Sequence, residues 1–354
     1  VKKSVKNSTQ ERVLVRKLEH WFKANSRDLP WRRDPQPYFV WLSEIMLQQT
    51  QVATVLPYFE KFTQKFKTVN ALAQAPLDDV FKLWAGLGYY SRARNLHKGA
   101  EAIAERLTKK MGFPATREEW LDIPGVGEYT AGAVCSIALN LPEPIVDGNV
   151  VRVLSRIYAI GKIDAKKTEI WNRARALVLV KGAEPRALNQ SLMELGATVC
   201  KPKNPQCLIC PVRDQCKGQL SPEKYPPPKP KKEWKAVFEK KWVLIDASKG
   251  DLKVYLEQNQ KKSREEKGWR EGLWDFPNAG SLKIASVARA VSAFSTKYVV
   301  TTHKITRDHQ VFQIKSTALK SARGQWFSLR EPDALPGVPS PVAKALKSVF
   351  KAHQ

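Results

Sequence analysis

No apolar run in the chain approaches the ~20 residues that a membrane-spanning helix needs, which argues against a helical membrane protein. Residues 1–17 are basic and contain no apolar signal core, so secretion is not expected and the stretch reads as a bare N-terminal tail. Acid is in short supply. Asp and Glu number 34 against 60 Lys and Arg, for a formal charge of +26. A chain this basic is expected beside a polyanion, with nucleic acid the first candidate and an anionic membrane surface the second. Cysteine is scarce as well: four of the five fall in one short stretch, at Cys200, Cys207, Cys210 and Cys216. Without a secretion signal, such clustering points to metal ligation rather than disulfides. Cys135 stands alone in an apolar stretch and reads as core. No internal repeat is found.

Hydrophobic residues make up 43% of the 354, enough for two cores. From about residue 10 to 218 the apolar positions recur every three or four. They do so in 12–24, 39–66, 77–85, 93–111, 129–139, 150–159, 169–180 and 189–198, which predicts an all-helical region. Residues 221–232 are rich in Pro and Lys and are expected to be extended, either as a solvated spacer or as a strap along phosphates. Beyond them, 242–246 and 252–258 read as a hairpin, while 299–305 and 310–314 alternate as strands. Residues 286–294 and 341–350 read as amphipathic helices. The expected organisation is a helical domain over 1–218, a linker over 219–235 and an α+β domain over 236–354.

The cysteines follow the spacing Cys-x6-Cys-x2-Cys-x5-Cys, so four thiolates within 17 residues can wrap one centre. Structural zinc sites usually pair two Cys-x-x-Cys knuckles, whereas here there is one, followed by Pro211. Four thiolates also suit an iron–sulfur core. Spacing alone leaves both open.

The stretch Ile123-Pro124-Gly125-Val126-Gly127-Glu128 has the composition of a tight turn between two helices. Two glycines let the backbone turn and approach a phosphate, and the free N–H groups of the next helix point at that anion. An ordinary helix-loop-helix turn has the same look. Asp147, in Val146-Asp147-Gly148-Asn149, stands just before a helix. There the positive helix end should keep it ionised, whether it acts as a plain cap or in chemistry. Glu44 has Val40, Trp41, Leu47 and Gln48 as helical neighbours. Such an apolar setting raises a carboxyl pKa and favours the protonated form that a general acid needs.

Taken together, these stretches resemble the endonuclease III superfamily of helix-hairpin-helix glycosylases, and within it the MutY family of adenine DNA glycosylases. The resemblance also rests on Arg27-Asp28-Leu29-Pro30-Trp31-Arg32, on Ser43 to Val52, on Gly86-Leu87-Gly88-Tyr89-Tyr90-Ser91-Arg92, and on Met193-Glu194-Leu195-Gly196. It covers nearly all of 12–218, and the later region more loosely. It implies a multidomain fold: an all-α helix-hairpin-helix glycosylase domain with an iron–sulfur cluster loop, plus an α+β, Nudix-like C-terminal domain. It implies a four-iron, four-sulfur cofactor on the four cysteines, with Lys201, Lys203 and Arg213 facing phosphates. Gly125, Val126 and Gly127 would bind DNA.

The same resemblance implies that adenine opposite 8-oxoguanine or guanine is flipped from duplex DNA. Arg27, Leu29, Trp31 and Glu194 would line its pocket, Gln49 and Tyr89 would hold the gap, and Leu87 would contact the substrate. Glu44 would protonate the adenine at N7. Asp147 would stabilise the cationic sugar, with Tyr129 and Asn149 in support. Bifunctional relatives carry a lysine two residues after the second hairpin glycine. Tyr129 stands there, which implies base removal without lyase chemistry.

The C-terminal landmarks Gly272 to Pro277 and Gln325-Trp326-Phe327 imply a domain that inspects the opposite base. It is not expected to be a working Nudix hydrolase, because residues 286–298 hold no acid for magnesium. The matching recognition loop is read at 303–308. There Thr306 fits, while Ile305 and Arg307 replace the family's aromatic and histidine. A monomer in a bacterial-type cytoplasm, associated with the nucleoid and not with membrane, is expected. The alternatives are a superfamily member of other specificity, a scaffold that kept binding and lost catalysis, and a zinc-bearing nucleic-acid binder.

Overall fold

The computed structural model describes residues 9–164, 167–228, 233–248, 251–259, 271–282, 284, 288–319, 324–331 and 335–353. The chain packs as two compact units. One holds residues up to Ala73 together with Lys98–Pro230; the other holds Gln74–His97 together with Lys231–Gln354. No described helix is long and apolar enough to cross a membrane.

In chain order the helices are α1 (Thr9–Asn25), α2 (Pro30–Arg33), α3 (Pro37–Leu47), α4 (Val52–Lys65), α5 (Val69–Ala73), α6 (Leu77–Trp84) and α7 (Tyr90–Thr108). Then come α8 (Arg117–Leu121), α9 (Glu128–Ala133), α10 (Gly148–Tyr158), α11 (Thr168–Val178) and α12 (Pro185–Thr198). The first nine residues of α1 include most of what the sequence suggested was tail. The single periodic stretch over 39–66 is two helices, because Gln49 takes a left-handed backbone at φ 58° and breaks the helical ladder. After α9 the chain runs on through a π-helical turn, Val134–Ala138.

The core of the first unit forms where α1, α10, α11 and α12 bury Leu14, Leu18, Val150, Leu154, Leu177 and Leu188. Cys200, Cys210 and Cys216 pack on its edge. Helix α12 approaches α10 closely at one glycine. A Cβ on Gly196 would lie 2.6 Å from the Cβ of Asn149, closer than packing allows. A glycine inside a helix costs about 1 kcal/mol relative to alanine, which the tight contact offsets.

The second unit carries a six-stranded mixed sheet. Its strands are β1 (Lys235–Asp246), β2 (Lys253–Gln258), β3 (Trp274–Asp275), β4 (Arg289–Val300), β5 (His303–Gln313) and β6 (Gly324–Ser328), followed by α13 (Ser340–Ala352). The order is β3-β2-β1-β5-β4, with β6 on β2. β1 and β5 run parallel and the other pairs antiparallel. The hairpin of β1 and β2 and the last helix match the sequence reading.

The helix expected over 286–294 is instead β4 from Arg289 onward; 285–287 lie outside the described residues. Its β-branched and aromatic residues pair along β5, so sheet pairing overrides a weak helical period. The strand expected over 299–305 straddles the turn at Thr301, whose φ is 53°, and β5 then runs unbroken to Gln313. In the Pro-rich stretch, Pro222–Lys224 forms a short 3-10 turn rather than extended chain.

Candidate active site

Helix α3 starts on Pro37, whose fixed φ and missing N–H suit a first helical position. It buries Tyr38 and every residue from Val40 to Met46, so its only carboxylate, Glu44, is taken inside with it. Glu44 is 4% exposed. Burial pushes its pKa up to about 7, the Asp147 charge adds to the rise, and the Tyr129 hydroxyl and Arg32 oppose it. Tyr129 donates to Oε2 of Glu44 at 2.5 Å. The Tyr129 phenol itself is held well above its ordinary value by burial and by the charges of Glu44 and Asp147. The two carboxylates and the tyrosine therefore share one buried, electrostatically coupled site.

Asp147 caps α10. Its Oδ1 accepts from the Val150 N–H at 2.7 Å and its Oδ2 from Asn149 Nδ2 at 2.8 Å. The sequence led us to expect a carboxylate kept ionised by the helix start. Burial raises its pKa instead, although the cap bonds favour the anion. Asn149 passes the link on: Arg152 donates to Asn149 Oδ1 at 2.9 Å, to the Gly196 carbonyl at 2.7 Å and to the Cys200 carbonyl at 2.8 Å.

Glu194 is fully buried on α12. Arg27 grips it through Nε and Nη2 at 2.6 and 2.9 Å, and Arg32 adds a third bond at 2.8 Å. Burial raises the Glu194 pKa, but the two guanidiniums outweigh it and hold the value below the ordinary one. Leu29 and Trp31 are buried beside this network's chain segment. Arg32 and Arg152 are site residues that the sequence reading passed over. Arg32 stood in a quoted stretch, but nothing in its neighbours says that it reaches α12.

The hairpin has the expected geometry. Gly125 turns the chain at φ 81°, which only glycine adopts readily, and Gly127 precedes α9 with open space where a Cβ would stand. The Val126 N–H closes the turn on the Ile123 carbonyl at 3.0 Å. Gln49 is exposed after α3. Leu87, Tyr89 and Thr306 belong to the second unit. Tyr89, 39% exposed, has a left-handed φ of 49°, uncommon for a bulky side chain and often associated with function. Arg92 braces that turn: buried, it donates to the carbonyls of Leu87 and Gly88 at 3.0 and 3.2 Å and stacks on Trp84 and Tyr89. Thr306 sits in mid-strand on β5. Ile305 and Arg307 flank it but face the opposite side, where both are buried. Arg307 is locked to Asp275 at 2.8 and 3.0 Å and to Glu239 at 2.8 Å. Neither it nor the buried His309 replaces an exposed recognition side chain.

The cysteine loop is built of two short 3-10 turns, Cys207–Ile209 and Arg213–Gln215. Arg156, buried, organises it by donating to the Cys200 thiol at 3.3 Å and to the Lys201 and Pro202 carbonyls at 2.7 and 3.3 Å. The thiols sense one another: burial first, then the charges of Cys200, Cys216 and Cys207, push the Cys210 thiol up to about 11. Cys200, Cys210 and Cys216 at the edge of one core, with Cys207 on the same loop, offer four soft sulfur donors, the set that an iron–sulfur cluster takes. Lys201, Lys203 and Arg213 are exposed around the loop.

Comparison with known proteins gives a consistent result. A family model described as the HhH-GPD superfamily of base excision DNA repair proteins matches residues 42–175. A second, the iron–sulfur binding domain of endonuclease III, matches residues 200–216. An adenine DNA glycosylase of Buchnera aphidicola subsp. Schizaphis graminum is 35% identical over 359 residues, covering 96% of this chain and 99% of that protein. The human adenine DNA glycosylase is 48% identical over 214 residues, 57% of this chain and 38% of its own length. Among solved structures, a thermostable thymine-DNA glycosylase superposes with a TM-score of 0.54 at 29% identity, covering 60% of this chain and 97% of its own.

Proposed function

The chain belongs to the adenine DNA glycosylase family, and from that premise we propose that it hydrolyses the N-glycosidic bond of adenine mispaired with 8-oxoguanine or guanine in duplex DNA. The observation that carries the reading is the buried Glu44 carboxyl, with a pKa near 7, bonded by Tyr129 and coupled to Asp147 at a helix start. A carboxyl poised there holds a proton at neutral pH for a departing base. Asp147 faces the opposite task. Its cap bonds fix the carboxylate, and its charge stabilises the cationic sugar that forms as the bond breaks. Asn149 orients it. Arg27, Leu29, Trp31 and Glu194 shape the adenine pocket, the arginine pairs keeping the Glu194 anion compensated.

Gly125, Val126 and Gly127 bind a phosphate of the duplex. Gln49 and Tyr89 hold the gap left by the extruded base, and Leu87 contacts the substrate. Tyr129, standing where a Schiff-base lysine would, leaves base removal without strand cleavage. Cys200, Cys207, Cys210 and Cys216 would hold a four-iron, four-sulfur cluster, which would order the loop that carries the exposed Lys201, Lys203 and Arg213. Residues 1–218 act as the glycosylase domain, 219–235 as a basic linker and 236–354 as a Nudix-like domain that inspects the opposite base. The test is excision from duplexes with adenine opposite 8-oxoguanine, guanine and cytosine, and thymine opposite guanine, with and without alkali. Alkali-dependent cleavage at adenine is expected, with no covalent capture by borohydride. Excision of thymine alone would replace this reading with a sister specificity.

A further inference from the structure

The strand register places Thr306 in a patch of exposed side chains that the sequence did not group. Across β1, β5 and β4, one face reads Ala236–Lys304–Val299, then Phe238–Thr306–Lys297, then Lys240–Asp308–Ser295. Further along, the same face is covered: Trp242, Leu244 and Phe312 pack with Ile284, Ile314 and Tyr255. The half around Thr306 is open. Phe238 is 78% exposed and Val299 57%. Trp234, 47% exposed, has the Lys304 ammonium over its ring at 5.3 Å. Three lysines meet one aspartate in these rows, and that aspartate accepts from Ser295 at 2.6 Å. A cavity of about 470 Å³, lined in part by Lys240, Trp242, Asp308 and Gln310, adjoins the third row.

A phenylalanine left in water on a strand face that also carries an exposed indole and several ammonium groups matches nucleic acid. Aromatic faces stack on unpaired bases, and flanking cations take phosphates. We propose that this open half-face is a DNA-contact platform in which Phe238 stacks on a nucleobase, Thr306 meets its edge, and Lys297 and Lys304 take the adjacent phosphates. The proposal rests on the glycosylase reading and deepens it. Phe238 stands directly beside Thr306 in the β1–β5 register.

The platform is tested by fluorescence anisotropy with the full chain in a Glu44→Gln background, on duplexes carrying adenine opposite 8-oxoguanine or guanine. Phe238→Ala is expected to weaken binding about tenfold and Phe238→Trp to restore it to within about twofold. The double change Lys297→Gln and Lys304→Gln should lower the slope of log affinity against log salt by about two. Single-turnover excision at saturating enzyme should stay unchanged in the same variants made with Glu44 intact. All these side chains are exposed, so the fold is not at risk. Phe238→Ala binding like its parent overturns the proposal; so does a variant that alters self-association and leaves DNA affinity as it was. Excision by the Phe238-containing enzyme scores the glycosylase reading separately, so the two failures cannot be confused.

Discussion

Replacing Glu44 by glutamine should stabilise the protein at alkaline pH while abolishing excision. The folded-state pKa near 7 stands about 2.5 above the ordinary 4.5. At 1.36 kcal/mol per unit, holding the ionised form inside costs about 3 kcal/mol, most of it desolvation. Because the folded value lies above the unfolded one, the stability associated with the neutral carboxyl is complete below pH 4.5. It is lost as pH climbs through 7. Glutamine has the same shape, does not titrate, and still accepts the Tyr129 hydroxyl. The variant should therefore lie within about 1 kcal/mol of its parent at pH 5 and exceed it by about 3 kcal/mol at pH 8. That corresponds to a midpoint shift of roughly 6–12 °C for a unit of this size. Thermal melts from pH 5 to 8.5, at equal iron content, measure it. Parallel curves for the two proteins would refute the buried-acid argument at its root, whatever the activity. In parallel, excision by the parent should fall about tenfold per pH unit above 7, and the variant should bind DNA without excising.

Tyr129→Phe removes a bond that favours the Glu44 anion, so the alkaline limb of the excision profile should move to higher pH; a shift downward would contradict the geometry of that pair. Asp147→Asn keeps a good helix cap, so melting should change by less than about 1 kcal/mol while single-turnover excision falls at least about 100-fold. Arg307→Met removes the buried guanidinium shared by Asp275 and Glu239 and leaves the Asp275 carboxylate with Lys241, 3.5 Å away, as its buried counter-charge. Denaturation of the second unit should show a loss of about 3–5 kcal/mol, and a neutral result would mean that the carboxylates find water.

Much was legible because the determining signals are local. Helical periodicity, the Pro-Gly-x-Gly turn and the cysteine spacing act over a few residues, and they fixed the helical region, the hairpin and the metal loop before any coordinates. Glu44 could be singled out because a run of apolar neighbours on one helix already dictates its desolvation. Other features depend on partners far along the chain. The stretch after 286 has a helical look in isolation, and only pairing with β5 makes it a strand. Ile305 and Arg307 depart in sequence from the family's aromatic and histidine, and only the alternation of β5 shows that both turn inward, leaving Thr306 beside Phe238.

The amino-acid order by itself determined that this chain makes a basic, helical, hairpin-bearing region with a four-cysteine loop, because spacing and polarity decide those at short range. Tertiary structure alone decided that the Asp147 charge reaches Glu44, that burial outweighs the helix start in setting the Asp147 pKa, and that Arg27 and Arg32 both close on Glu194. Each of these depends on distance and dielectric between segments tens to hundreds of residues apart, quantities that come into being only when the helices pack.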